Sequence, residues 1–283
     1  MKGDWKETEI LPVRELKLGE LLFLTFELMK KRLGSFLLLA LLLYLPSAAL
    51  QQYQLSQIVL TEDVQALLEQ MIPVAVGTAV MMFLTIIGPM IAAVLIVNEL
   101  YDEQRLTFPA AFYKGIRRYP AAALTLVILL AGLILAELFL SMLMTILPLL
   151  LMLILPLLTA VLLYFGLLQS SSAATASLRG LLGMNNLGYV RAVFGQRMLR
   201  CLGIYAFVWI IGNLPGMLIG LVAGELLAFI EIPWLVNGLS VLLEGLLGIF
   251  SLFTASAVVL MLLNYEKIRE REWREKQNIP PVA

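Results

Sequence analysis

The chain has no histidine and one cysteine, Cys201. Without histidine it lacks the commonest general base and the commonest metal ligand. A single cysteine excludes an intramolecular disulfide. Charge is scarce too: 14% of residues are Asp, Glu, Lys or Arg, against roughly 25% in a soluble domain. Residues 1–16 are polar and of mixed charge, without the short apolar core and small-residue cleavage site of a signal peptide, so none is expected. The formal net charge is zero and the basic residues sit beside apolar runs, where membrane orientation accounts for them, so no nucleic-acid partner is expected. His–Asp–Ser sets, His-x-x-x-His spacings and acidic metal pairs are all missing. The chain is therefore expected to be non-enzymatic, with no catalytic or metal-ligating residues and no cofactor.

What is present is apolar sequence. Hydrophobic residues make up 61% of the chain and the mean hydropathy is +0.93, with charge clustered so that long uncharged runs remain. Such runs are long enough to cross a hydrocarbon core of about 30 Å, which excludes a soluble enzyme with a greasy core. Six spans are predicted, over 33–51, 72–100, 121–147, 148–168, 201–230 and 234–263. With this assignment all 20 Lys and Arg residues fall on one side of the membrane. Lys2, Lys6, Arg14, Lys17, Lys30, Lys31 and Arg32 precede the first span. Arg105, Lys114, Arg117 and Arg118 lie between the second and third, and Arg179, Arg191, Arg197 and Arg200 between the fourth and fifth. Lys267, Arg269, Arg271, Arg274 and Lys276 follow the sixth. The opposite connections carry Glu62, Asp63, Glu69 and Glu231, or no charge at all near Pro148. Cytoplasmic loops collect Lys and Arg, so both termini are expected in the cytoplasm and the protein in a bacterial inner membrane.

A repeat of two spans underlies this pattern. Phe26 to Arg32, Phe112 to Arg118 and Phe194 to Arg200 align without gaps, each with phenylalanine and arginine six positions apart and each leading into an odd-numbered span. Spans one and five also share Leu-Pro, at Leu45-Pro46 and Leu214-Pro215. The predicted fold is an all-α integral membrane protein. Its six transmembrane helices form three pseudo-repeated hairpins, each preceded by a cytoplasmic interfacial amphipathic helix. In the first such segment Lys17, Glu20, Glu27 and Lys31 share a helical face, and Leu18, Leu21, Leu22 and Leu28 lie largely elsewhere. Thr107 and Pro109 mark the start of the second. Such helices lie in the headgroup plane. The chain reads as one domain, with residues 1–32 and 264–283 cytoplasmic and a six-helix bundle over 33–263.

The opening Arg14-Glu15-Leu16-Lys17-Leu18-Gly19-Glu20 with Phe26, and the exit Asn264-Tyr265-Glu266-Lys267-Ile268-Arg269-Glu270-Arg271, resemble a group of bacterial six-span proteins. That group includes the membrane domain beside some glycerophosphodiester phosphodiesterases and uncharacterised YciC-type inner-membrane proteins. The resemblance implies a membrane domain over nearly the whole chain, without a settled activity. The phosphodiesterase catalytic domain has no counterpart here.

Few residues suggest chemistry. Glu137 and Glu244 fall inside spans three and six, and Asn213 precedes Leu214-Pro215-Gly216 in span five. Intramembrane carboxylates face a bundle interior or water, so these three form a candidate polar site. Glu99 and Glu225 lie near span ends, where solvation is the simpler account. Pro46, Pro89, Pro156 and Pro215 read as kinks. Gly216, Gly220 and Gly224 read as a close-packing stripe, and Ser170 to Ser172 as a cytoplasmic turn. In the tail, Glu270 with Arg274 and Glu272 with Lys276 are spaced for pairing. Arg32, Arg118 and Arg200 are the equivalent positions of the repeat and candidate headgroup contacts. The leading expectation is a protein that organises or senses membrane lipids or a membrane-protein partner. The alternative is a small transporter or lipid translocator with a proton-responsive carboxylate.

The topology is directly testable. In a Cys201→Ala background, Glu62→Cys should react with a membrane-impermeant maleimide added outside intact cells, and Gln277→Cys should react only after lysis.

Overall fold

The computed structural model describes residues 11–57, 64–101, 105–146, 151–227, 229 and 232–277, and every regular element among them is a helix. In chain order these are α1 (Leu18–Lys31), α2 (Leu33–Gln57), α3 (Val64–Thr85), α4 (Ile87–Tyr101), α5 (Phe108–Ile116), α6 (Tyr119–Ile146), α7 (Leu151–Arg179), α8 (Gly183–Phe194), α9 (Met198–Leu227) and α10 (Pro233–Lys276). A single 3₁₀ turn over 195–197 joins α8 to α9. Six stretches are long and apolar enough to cross a membrane: α2, α3 with α4, α6, α7, α9 and α10. The chain is accordingly a multi-pass membrane protein. The connections holding Glu62, Asp63, Pro148 and Glu231 lie outside the described residues.

Local sequence explains where the short helices begin. Glu20 reaches back to accept the Lys17 N–H at 3.0 Å and fixes the start of α1. Thr107 and Pro109 stand at the start of α5, as their residue types predict. Gly180 and Gly183 take positive φ between α7 and α8, at 71° and 50°, a conformation glycine adopts without steric cost.

The spans differ from the sequence expectation in three places. Span two is interrupted at Ile86, between α3 and α4. Span four does not end at Leu168: α7 continues to Arg179, and the supposed Ser170–Ser172 turn lies within it. Ser171, Ser172, Ala173, Ala174, Thr175 and Ala176 are all buried. A run of small residues has the composition of a turn, but it equally lets two helix backbones approach. Here α4 packs on α7, and Ser177 donates to the Met90 carbonyl at 3.0 Å. Thirdly, span six does not end at Leu263: the polar tail continues it without a break to Lys276. With 44 residues, α10 extends about 66 Å at 1.5 Å per residue, roughly twice the thickness of the hydrocarbon core.

α10 is also the centre of the bundle. Every residue from Thr254 to Tyr265 is buried, because α1, α2, α4, α7, α8 and α9 all pack against this helix. A helix apolar on all sides needs such enclosure. Its closest neighbours meet it through glycine. A β-carbon on Gly245 would lie 3.2 Å from Leu45 Cα in α2, and one on Gly216 would lie 3.2 Å from the Phe250 ring. Gly216 therefore packs within the chain, whereas Gly224 faces open space.

Burial is uneven along the bundle axis. Both described chain ends lie at one face, since Asn264 near the end of α10 holds Pro12 and Arg14. Toward this terminal face, α4, the last turns of α7 and α10 up to Ile268 are densely packed. Toward the distal face, α3, the start of α7 and the end of α9 are mostly exposed wherever their side chains are described.

Gly115 tests the tight α4–α5 contact. A β-carbon there would lie 2.9 Å from Ile91 Cγ1 and 3.2 Å from Ile91 Cα. Alanine would gain about 0.5–1 kcal/mol as a better helix former, against about 1–3 kcal/mol for overpacking. Gly115→Ala should therefore lower the thermal midpoint of the purified protein in detergent, although the same change stabilises most helices.

Candidate functional site

The terminal face is built from charge, and two opposed classes of basic residue share it. The first class is locked. Arg32, at the junction of α1 and α2, donates from Nε to Glu99 Oε2, from Nη1 to the Leu106 carbonyl and from Nη2 to Asn98 Oδ1, each at 2.7 Å. Asn98 Oδ1 also accepts the Leu106 N–H at 3.0 Å. The Arg32 and Glu99 side chains are each only 9% exposed. Arg105 adds a second cation 3.9 Å from Glu99. This knot ties α1, α2, α4 and the 105–107 segment together.

A second knot surrounds the end of α10. Asn264 accepts the Leu16 N–H at 3.2 Å and donates to the Pro12 and Arg14 carbonyls. Lys267 donates to the Leu11 carbonyl at 2.7 Å. These bonds hold residues 11–16 as a strap across the helix, with Leu11 and Leu16 buried beneath it. Glu15 on the strap pairs with Arg197 at 2.6 Å and with Arg200. Arg197 also reaches Glu272 at 2.7 Å, so Glu272 is paired across elements rather than with Lys276. That contact holds the Glu272 carboxyl below the usual carboxylate range. Arg179 and the Tyr189 hydroxyl both bind Glu266, at 2.9 and 2.7 Å. Outside the knots, Arg14 pairs with Glu20 at 2.8 Å and lowers its carboxyl to about 2.

The second class of basic residue is free. Lys30, Lys31, Lys114, Arg117 and Arg191 are exposed and make no ion pair or side-chain hydrogen bond among the described residues. Large apolar side chains stand beside them. Phe23 and Phe26 are exposed on α1, Tyr113 on α5, Leu182 and Met184 at the start of α8, and Leu199 at the start of α9. On α1 the opposite side, with Leu21, Thr25, Leu28 and Met29, is buried.

The residues singled out from sequence separate accordingly. The Arg32 guanidinium is enclosed, and each of its three nitrogens donates a hydrogen bond within the protein. Arg118 is half-buried, 3.4 Å from the Ser177 carbonyl and close to Gly180. Arg200 is about half exposed but bound to Glu15. The aligned phenylalanines diverge as well: Phe26 is exposed, while Phe194 is buried edge-to-face against Tyr265 at 5.9 Å. Glu99 is paired rather than solvated. Of the intramembrane candidates, Glu137 stands on α6 but its side chain lies outside the described residues. Glu244 is exposed on α10 and has no charged partner among the described residues. Asn213 donates to the Trp209 carbonyl at 2.8 Å, not to the Ile211 carbonyl that Pro215 leaves without a donor, and it lines a cleft that does not include Glu244. Asn213 and Glu244 therefore do not form one site. Sequence reasoning passed over Asn98 and Asn264. Their signal was available, since each is an amide at a span exit beside Glu99-Leu100-Tyr101 or Tyr265-Glu266.

No family model, curated protein or solved structure matches the chain.

Removing one partner from an enclosed ion pair costs about 3–5 kcal/mol, whereas replacing both with packed apolar groups is often neutral. Arg32→Gln should therefore destabilise the protein by several kcal/mol. The double variant Arg32→Met with Glu99→Leu should recover much of the loss in thermal unfolding.

Proposed function

We propose that this chain is a non-enzymatic multi-pass protein of the bacterial cytoplasmic membrane that engages anionic lipid headgroups and organises or senses the lipid around it. In this reading the terminal face is cytoplasmic. The observation that carries it is the set of free cations beside exposed apolar side chains: Lys30 and Lys31 with Phe23 and Phe26, and Lys114 and Arg117 with Tyr113. A helix with one face packed on protein and the other carrying Phe and Lys suits the headgroup boundary, and each basic residue near an anionic surface contributes about 1 kcal/mol. The headgroup contacts are these free residues, with Arg32, Arg118 and Arg200 serving the fold.

The same reading treats the bundle as three repeated hairpins. Two contacts support it. Asn98 at the end of the second span holds the N–H of Leu106, two residues before α5. Asn264 near the end of the sixth span holds the N–H of Leu16, two residues before α1. These two span exits thus grip the approaches to α5 and α1, and the last unit closes onto the first. A membrane-protein partner is the other candidate for the terminal face, and a small transporter or lipid translocator is the second reading of the whole.

Replacing Lys30, Lys31, Lys114 and Arg117 with Gln should reduce co-purified anionic lipid and the preference for anionic over zwitterionic nanodiscs by at least tenfold, without lowering thermal stability. An unchanged lipid preference would overturn the reading.

A further inference from the structure

At bilayer depth the bundle contains a cleft of about 160 Å³ between α2, the α3–α4 interruption, α7, α9 and α10. Its polar lining is Tyr44, Gln169, Tyr205, Asn213, Ser251 and Thr254. Such a concentration of hydroxyls and amides is costly in hydrocarbon unless each group finds a partner. The Gln169 amide, the Tyr205 hydroxyl and Asn213 Oδ1 have no hydrogen-bonding partner among the described residues. Ser170, Thr85 and Pro89 line it as well. Pro89 has no N–H to offer the Thr85 carbonyl four residues earlier, so the helix interruption adds a backbone acceptor. Irregular backbone at this depth is tolerated where it is buried in protein or lines a water-filled cavity.

The lining is uneven in exposure: Tyr205 and Thr254 are each 6% exposed, whereas Trp209 is 43% exposed. The cleft is thus deep beside Tyr205 and Thr254 and reaches the surface of the bundle beside Trp209. Its volume corresponds to roughly five waters at about 30 Å³ each. No Asp, Glu, Lys or Arg lines it, so an ion entering would lose hydration without meeting a counter-charge.

We infer that this cleft is a binding site for a small uncharged solute rich in hydrogen-bonding groups, no larger than glycerol or a simple amide. Gln169, Tyr205 and Asn213 supply both donors and acceptors, and the absence of charge makes the site selective for neutral ligands. The site is separate from the lipid-facing cations of the terminal face, so the two proposals fail independently.

Trp209 in the lining is an internal reporter. The experiment uses the full chain in nanodiscs with Trp5→Phe, Trp234→Phe and Trp273→Phe, leaving Trp209 as the only indole. Acrylamide, itself a small neutral amide, should quench Trp209 several-fold more than iodide does and more than brominated acyl chains do. Glycerol in the millimolar range should protect Trp209 from acrylamide, and Asn213→Leu should remove that protection. Gly166→Leu should independently lower acrylamide access, because a β-carbon at Gly166 would press on the Tyr205 hydroxyl. Dominant quenching by brominated lipid would mean an acyl chain fills the cleft, and it would overturn the proposal. Equal quenching by iodide, or no protection by glycerol, would overturn it as well.

Discussion

The enclosure of α10 between Thr254 and Tyr265 is the constraint on which the rest of the bundle depends. Lipid tails are as apolar as leucine, so hydrophobicity alone does not draw membrane helices together. Close packing and polar contacts must supply the preference. Small residues recur where α10 meets its neighbours, with Gly212 and Gly216 on α9 and Gly245 and Gly248 on α10 itself. They bring neighbouring backbones near enough for dispersion contacts to accumulate. Beyond Leu263 the same helix exchanges apolar packing for polar grips, through Asn264, Glu266, Lys267 and Glu272. One continuous helix is therefore both the core of the membrane bundle and the anchor of its terminal face.

The basic residues carry two jobs that net charge conceals. Arg32 sits in a fixed geometry where one guanidinium satisfies a carboxylate, a carbonyl and an amide. Its planar fork of donors matches this arrangement better than a lysine ammonium would. Lys30 and Lys31, immediately before it in sequence, are exposed. Arg32 falls at the turn between α1 and α2 and points into the bundle, while Lys30 and Lys31 at the end of α1 remain exposed. Neighbouring basic residues thus serve different surfaces.

Six apolar spans were legible because hydropathy over twenty residues is a strong, additive signal. Thr107 and Pro109 at the start of α5, and the intrachain packing of Gly216, were legible for local reasons. Partnership was not. Glu99 near a span end has the same composition whether water or Arg32 meets it, and Arg32 lies 67 positions away in sequence. Ser170 to Ser172 failed for a related reason, since small polar residues suit an exposed turn and a tight helix seam equally. The polar cleft was out of reach because its lining comes from four helices and the α3–α4 break, each contributing one to three residues. Asn213, Pro89 and Ser170 each stood out on their own spans, but nothing local joined them.

The strap across α10 has a consequence for how the protein is made. Residues 11–16 are made before any of the six spans, yet the groups that hold them, Asn264 and Lys267, lie about 250 residues later. The knot between Arg32 and Glu99 forms once the first hairpin and the start of the next segment have been inserted. The grips of Asn264 and Lys267 on the strap cannot form until the sixth span has been made, although Glu15 can meet Arg197 and Arg200 earlier. Its docking is thus a record that the sixth span has arrived, and a chain stopped short of it would keep an undocked leading segment, a handle by which quality-control proteases could tell an unfinished molecule from a finished one.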